Sequence, residues 1–210
     1  MTKFEKKLLT LRQQLIGAKY YGALSALDFA MKYHTGTRKD GITPEFQHQV
    51  EIALYALTLA DLKYREEVIA TIMLHDVRED YHITENEIRM VLKECESGFI
   101  DRVCQAVENM TKEWRGERKD EVELFNAMAE DAVASIAKGC DRIHNLQSMV
   151  GVFTVDKQAQ YIGEVELLFI PMLKKARKRF AYQHCAYMNI LHVLRSQMEL
   201  IKSMHEMVQV

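Results

Sequence analysis

The stretch VIATIMLHDVRED (residues 68–80) decides how this chain is read. Val68, Ile69, Ile72 and Met73 recur at helical spacing, so the segment predicts a helix that delivers His75 and Asp76 at its C-terminal end. Glu79 and Asp80 follow about one turn later and border the same cavity, beyond the direct reach of the pair. A histidine followed at once by an aspartate is costly to bury without a partner. His48 upstream and Asp141 in CDRIHN (140–145) complete a set of two imidazoles and two carboxylates. That set suits Mn, Fe, Co, Ni or Zn better than the all-oxygen sites of Mg and Ca. A metal held there lowers the pKa of a bound water and neutralises charge on a phosphoryl oxygen, which points to a metal-dependent phosphohydrolase. Taken singly, His48 reads as an ordinary core histidine, and Asp141 beside Arg142 as half of an ion pair. The ordered set outweighs those readings.

Outward from this stretch the chain reads as all-α. Leu8, Leu9, Leu11, Leu15 and Ile16 mark a first amphipathic helix, and a second runs from about Ala18 to Tyr33. HTGTRKDGITP (34–44) is the clearest loop, after which Pro44 suits the first turn of a helix with His48 one turn inside. Thr84 and Glu87 have the spacing of a capping box. Helices at about 98–110, 120–130, 131–149, 157–178 and 182–207 complete the pattern, and strand-like alternation is scarce. The last helix carries Tyr187, Ile190, Leu191, Leu194, Met198, Ile201 and Met204 on one stripe. Core packing is the first reading of that stripe, and a partner helix in a homo-oligomer the second. The expected organisation is one domain over 1–180 and a C-terminal amphipathic helix over 181–210.

Composition narrows the function classes. The 210 residues suffice for one well-filled core, and 28 basic against 30 acidic residues give a net charge of −2. That balance excludes the electrostatic footprint of a long nucleic acid but not of a small nucleotide, which needs only local cations. Arg38 and Lys39, in the loop before His48, are the expected anion clamp, and the planar Arg38 can stack on a base. Asn145, four residues after Asp141, can hold a water or phosphoryl oxygen without adding charge, whereas His144 lies off that face as a buttress. One carboxylate of Glu79 and Asp80 is expected to take the proton of the attacking water, and the other to protonate the departing oxygen. Four cysteines without a CxxC pair, no signal-like leader and no membrane-length apolar window predict a cytoplasmic protein with reduced thiols.

HTGTRKDGITPEFQH (34–48), LHDVRED (74–80), VENMTK (107–112) and LFNAMAEDAVASIAKGCDRIHNL (124–146) together resemble the hydrolase domain of the RelA/SpoT alarmone enzymes. The likeness is nearest to the small stand-alone hydrolases of that group, within the HD phosphohydrolase superfamily, and covers roughly residues 20 to 150. It implies an all-helical HD-domain bundle with a single Mn²⁺ held by His48, His75, Asp76 and Asp141. It also implies catalytic roles for Glu79, Asp80 and Asn145, and contacts from Arg38 and Lys39 to nucleotide and phosphate. The implied activity is removal of the 3′-pyrophosphate of guanosine tetra- or pentaphosphate, or of an adenosine analogue, and the chain's length implies the form without a synthetase domain. Departures from the family pattern lie at Asp40, Thr43, Arg78 and Gly139-Cys140, and none removes a ligand. Asp40 stands where serine is frequent, in a loop that reads the base. Arg78 replaces a small apolar residue and is expected to favour ionised carboxylates at 79 and 80. Two other classes compete. One is a different HD nucleotidase: a deoxynucleotide phosphatase, a cyclic-nucleotide phosphodiesterase or a dinucleotide-cofactor phosphatase. The other is a non-catalytic nucleotide sensor that uses the Met-rich last helix to bind a partner.

Overall fold

The computed structural model describes residues 1–208, so the last two residues of the expected 181–210 segment lie outside the described ones. Helices α1 (Lys3–Gly17), α2 (Tyr21–Ala30), α3 (Gln47–Leu57), α4 (Arg65–Tyr81), α5 (Glu85–Val91) and α6 (Ser97–Met110) form the first half. After a short hairpin, β1 (Glu113–Trp114) and β2 (Glu117–Arg118), come α7 (Glu121–Ala129), α8 (Ala134–Met149), α9 (Val155–Glu164), α10 (Ile170–Arg179) and α11 (His184–Val208). The protein is all-α in architecture, as its periodicity predicts.

Helix α4 is the axle. It packs against α2, α3, α6 and α8, and every residue from Glu67 to His75 is buried. A helix apolar on all sides must be enclosed by others, and this one carries the HD pair into the middle of the bundle. It also runs past His75-Asp76 to Tyr81, because Leu74 and Val77 continue the apolar face; His82, in the left-handed region at φ 56°, ends it. His75-Asp76 therefore lies inside the helix and not at its end.

Three further boundaries differ from expectation. Lys19, with φ 60°, breaks the chain between α1 and α2, so the second helix is confined to Tyr21–Ala30. Pro44 does not open α3: its backbone forms an isolated bridge with Thr37, and His48 becomes the second residue of the helix. Between α9 and α10 the chain widens into a π turn at Val165–Phe169, just before Pro171, whose missing N–H interrupts the i→i−4 ladder. The hairpin escaped the sequence reading because its strands are two residues each; its turn, Arg115-Gly116, has both φ positive.

Helix α11 lies against α8 and α10 and buries Tyr187, Ile190, Leu191, Leu194, Met198 and Ile201 within the chain. Met204 falls off that stripe and is exposed. Among the described residues no helix is long and apolar enough to cross a membrane. All four cysteines are free thiols.

Candidate metal centre

Helices α3, α4 and α8 converge on one cavity of about 650 Å³. From α3 comes His48, whose Nε2 lies 3.1 Å from Asp141 Oδ1. Helix α4 supplies His75, whose Nδ1 donates to the Ile72 carbonyl at 2.9 Å while Nε2 lies 2.9 Å from Asp76 Oδ1. Donor atoms of His48, His75 and Asp76 all lie within 4.8 Å of one another, and Asp141, from α8, joins them through His48. The four expected ligands are thus brought together.

The donor chemistry fits a divalent cation. With its Nδ1–H committed to Ile72, neutral His75 turns an Nε2 lone pair toward the Asp76 carboxylate, and His48 Nε2 faces Asp141 in the same way. Two lone-pair-against-carboxylate contacts in a buried place require a proton or a metal between the partners. Burial holds His48 below the usual histidine range and so favours its neutral, ligating form. For His75 burial acts the same way but the Asp76 carboxylate outweighs it, raising its proton affinity. Asp141 stays well below the ordinary carboxylate range despite burial, because the Lys138 ammonium, 2.9 Å from Oδ2, and His48 stabilise its charge. Asp76 is lowered likewise, by His75 against burial.

Around these four stand groups that orient them. Gln49 donates to Asp76 Oδ2 at 2.9 Å, and its own Oε1 is buried without a protein partner among the described residues. Asn145 donates to Asp141 Oδ1 at 2.8 Å, so its amide is engaged with a carboxylate. His144 does more than buttress a helix: Nδ1 lies 2.8 Å from His48 Nδ1, and Nε2 lies 2.7 Å from Glu51 Oε2. Sequence reasoning missed Gln49, Glu51 and Lys138. The i,i+3 spacings His48–Glu51 and Lys138–Asp141 were the available signal.

The acidic pair divides. Asp80 lines the cavity beside Asp76, and its pKa is pushed up to about 6 by partial burial and by the charges of Asp76 and Glu79. Glu79 is not among the lining residues; it accepts from the Lys112 backbone N–H at 3.0 Å. Arg78 does not favour ionisation of Asp80. Its guanidinium pairs with Glu108, reaches the Ile83 carbonyl at 3.2 Å and lies 4.9 Å from the centre of the Trp114 ring, which anchors the hairpin instead.

Arg38 and Lys39 also line the cavity. Asp40 accepts from the Ile42 and Thr43 amides and the Thr43 hydroxyl, which holds its pKa near about 2 and makes a tight turn of the loop tip. His34 is buried against Phe46 and Tyr81, with Nδ1 3.3 Å from Glu45 Oε1. Arg38 reaches Ser148 Oγ at 3.3 Å, and Lys39 Nζ lies 5.1 Å from the Phe153 ring centre. Phe153 and Tyr161 add an aromatic wall that the motifs did not reveal.

Comparison with known proteins places this geometry. The HD domain family model matches residues 26–176. The chain is 28% identical over 152 residues to a Brucella melitensis GTP pyrophosphokinase rsh, covering 69% of this chain and 19% of that protein. It is 27% identical over 151 residues to a probable guanosine-3′,5′-bis(diphosphate) 3′-pyrophosphohydrolase of Synechocystis sp., covering 71% and 19%. An Aquifex aeolicus protein named guanosine-3′,5′-bis(diphosphate) 3′-pyrophosphohydrolase is 28% identical over 152 residues, covering 70% and 20%. The chain thus spans about a fifth of the length of these curated relatives. With the family model spanning most of α2 through α10 and the ordered H…HD…D set gathered on α3, α4 and α8, the chain belongs to the HD domain family.

Proposed function

We propose that this protein is a Mn²⁺-dependent hydrolase that removes the 3′-pyrophosphate of a nucleotide alarmone, guanosine tetra- or pentaphosphate or the adenosine counterpart. One observation carries the reading: a single cavity is lined by His48, Asp76 and Asp141 of the HD set, by Asp80, and by Arg38, Lys39, Phe153 and Tyr161. The names of the Synechocystis and Aquifex relatives support the 3′-pyrophosphate as the group removed. The mixed imidazole and carboxylate donors support a first-row metal, with Mn²⁺ the one the resemblance implies.

In this reading the bound metal supplies an activated water and charge neutralisation at the phosphoryl group. The protein's residues do the rest. Arg38 and Lys39 bind phosphate oxygens, and Phe153 and Tyr161 offer flat faces to the base. Asp80 accepts the proton of the attacking water, which its raised pKa suits near neutral pH. Glu79, held by the Lys112 amide outside the cavity, acts through Asp80, whose proton affinity its charge raises. The proton Asp80 takes from the water is then available to the departing 3′-oxygen. Asn145, Gln49 and Lys138 hold the carboxylates of Asp141 and Asp76 in place. Four free thiols fit a cytoplasmic setting for this turnover.

The test is pyrophosphate release from each 3′-pyrophosphorylated nucleotide, beside deoxynucleotide and cyclic-nucleotide substrates. Pyrophosphate from the first group alone is the expected result. Turnover restricted to substrates without a 3′-pyrophosphate would assign a different HD nucleotidase.

A further inference from the structure

Helix α3 holds a carboxylate that the proposed reaction leaves without a task. Glu51 lies one turn after His48, half-buried, and its Oε2 accepts from His144 Nε2 at 2.7 Å. A carboxylate can only accept, so that nitrogen of His144 carries the proton. In neutral His144 the other nitrogen, Nδ1, is then a lone pair, and 2.8 Å from it stands His48 Nδ1. Two ring nitrogens at that distance share one proton, which must therefore sit on His48. With Nδ1 protonated, His48 is left with Nε2 as a bare lone pair, 3.1 Å from the Asp141 carboxylate.

We infer that Glu51 is a positioning residue: through His144 it fixes the tautomer and ring plane of His48 so that Nε2 faces the metal position. The inference rests on the metal reading of the HD set. His75 reaches the same state by a different route, donating its Nδ1–H to the Ile72 carbonyl. Backbone thus orients one histidine ligand and a charged relay the other. A carboxylate behind a histidine ligand also raises its basicity, which a backbone carbonyl does less strongly.

Packing does not account for the pair. Glu51 and His144 line the main cavity on one side and a second cavity of about 380 Å³ on the other, so they stand as a polar partition and fill no core. The remaining partners of Glu51, Gln47 at 2.7 Å and Lys7 from α1, bind its other oxygen and leave Oε2 to His144. The relay runs from the rear surface to the ligand without a gap.

The experiment is Mn²⁺ binding to the full chain, read by calorimetry and by the electron paramagnetic resonance of free Mn²⁺, with thermal unfolding followed in parallel. Glu51→Gln and His144→Leu should each weaken Mn²⁺ by about 10- to 100-fold, the range typical of lost partners behind metal ligands. His144→Asn, whose Oδ1 stands where Nδ1 stood and accepts the same hydrogen bond, should stay within about threefold of wild type. Lys7→Ala removes the other charged partner of Glu51 and should lower stability while leaving Mn²⁺ affinity unchanged. Unchanged affinity in Glu51→Gln and His144→Leu would overturn the inference, as would a loss in all four variants that simply tracks their stability. Wild-type protein that binds no Mn²⁺ or other first-row divalent metal would instead overturn the metal reading beneath it.

Discussion

At the residue scale the centre is a set of charges that stabilise one another in a buried place. Asp141 keeps its charge beside the Lys138 ammonium and a proton held by His48, and Asp76 beside a proton held by His75. A cation in the cluster would take the place of those protons. With Asp76 a ligand as proposed, Asp76→Ala should weaken Mn²⁺ binding by more than the ~100-fold typical of outer-sphere losses, measured by calorimetry. Asp80 differs in kind: burial and the neighbouring carboxylates push its pKa up to about 6, which suits the proton-accepting role proposed for it. As a base it works ionised, so kcat/KM should rise with pH through an apparent pKa at or below about 6, a bound cation drawing it downward. Asp80→Asn should lower kcat by ~10²- to 10⁴-fold and abolish that limb of the pH–rate profile. The four candidate donors could be named from the sequence because His48, the His75-Asp76 pair and Asp141 each stand in a polar cluster on an apolar helix, and the fold brings them together. Gln49, Glu51 and the Phe153–Tyr161 wall could not, since each matters through a neighbour that only folding brings near. Arg78 was misread for the same reason: sequence puts it beside the acidic pair, whereas its helical position turns it toward Glu108 and Trp114.

At the element scale the centre exists because α3, α4 and α8 pack together, and α8 is held from behind by α10 and α11 through a close approach at a glycine. In α8 a Cβ at Gly139 would come within 2.9 Å of Ile190 on α11 and 3.1 Å of Leu173 on α10. Gly139→Val should therefore destabilise the protein by about 1–3 kcal/mol, seen as a fall in Tm. Glu51 ties α1, α3 and α8 through Lys7 and His144, and its pKa falls to about 2, first through the His144 hydrogen bond. A carboxyl lowered on folding adds stability above its unfolded pKa of about 4.5 and loses it as pH falls toward about 2. Urea titrations of wild type and Glu51→Gln should differ by roughly 2 kcal/mol at pH 7, allowing for solvent screening, and converge near pH 2. Helix existence was readable from periodicity and from the Thr84–Glu87 capping box, which forms as its spacing predicts. Boundaries were less readable. Lys19 takes the left-handed position that closes α1 without the usual glycine, Pro44 pairs back to Thr37 within its loop, and the two-residue strands are too short to leave a period.

At the scale of the whole molecule, one buried helix organises everything else. Helix α4 carries the HD pair through the middle of the bundle; α2, α3, α6 and α8 enclose it, and α11 closes the back of α8. Because Tyr187, Ile190, Leu191 and Leu194 are fully packed, a chain cut after residue 181 should lose cooperative unfolding in calorimetry. If that shorter chain stayed folded and active but lost a complex that the full chain forms, α11 would instead be an element for binding a partner. The fold class was legible as soon as VIATIMLHDVRED was read as a helix. The cavity was legible only in part: the motifs named His48, Asp76, Asp141, Arg38 and Lys39 among its lining, while Phe153 and Tyr161 come from a segment with no motif. The central claim is that this HD centre releases pyrophosphate from a 3′-pyrophosphorylated nucleotide, and one assay tests it most directly. Purified protein with Mn²⁺ is given guanosine tetraphosphate or its adenosine counterpart, and pyrophosphate is measured for wild type and Asp76→Ala. Release by wild type that vanishes in the variant is the predicted result, with the faster substrate naming the base. Metal-loaded wild type that releases no pyrophosphate from either nucleotide would contradict the account.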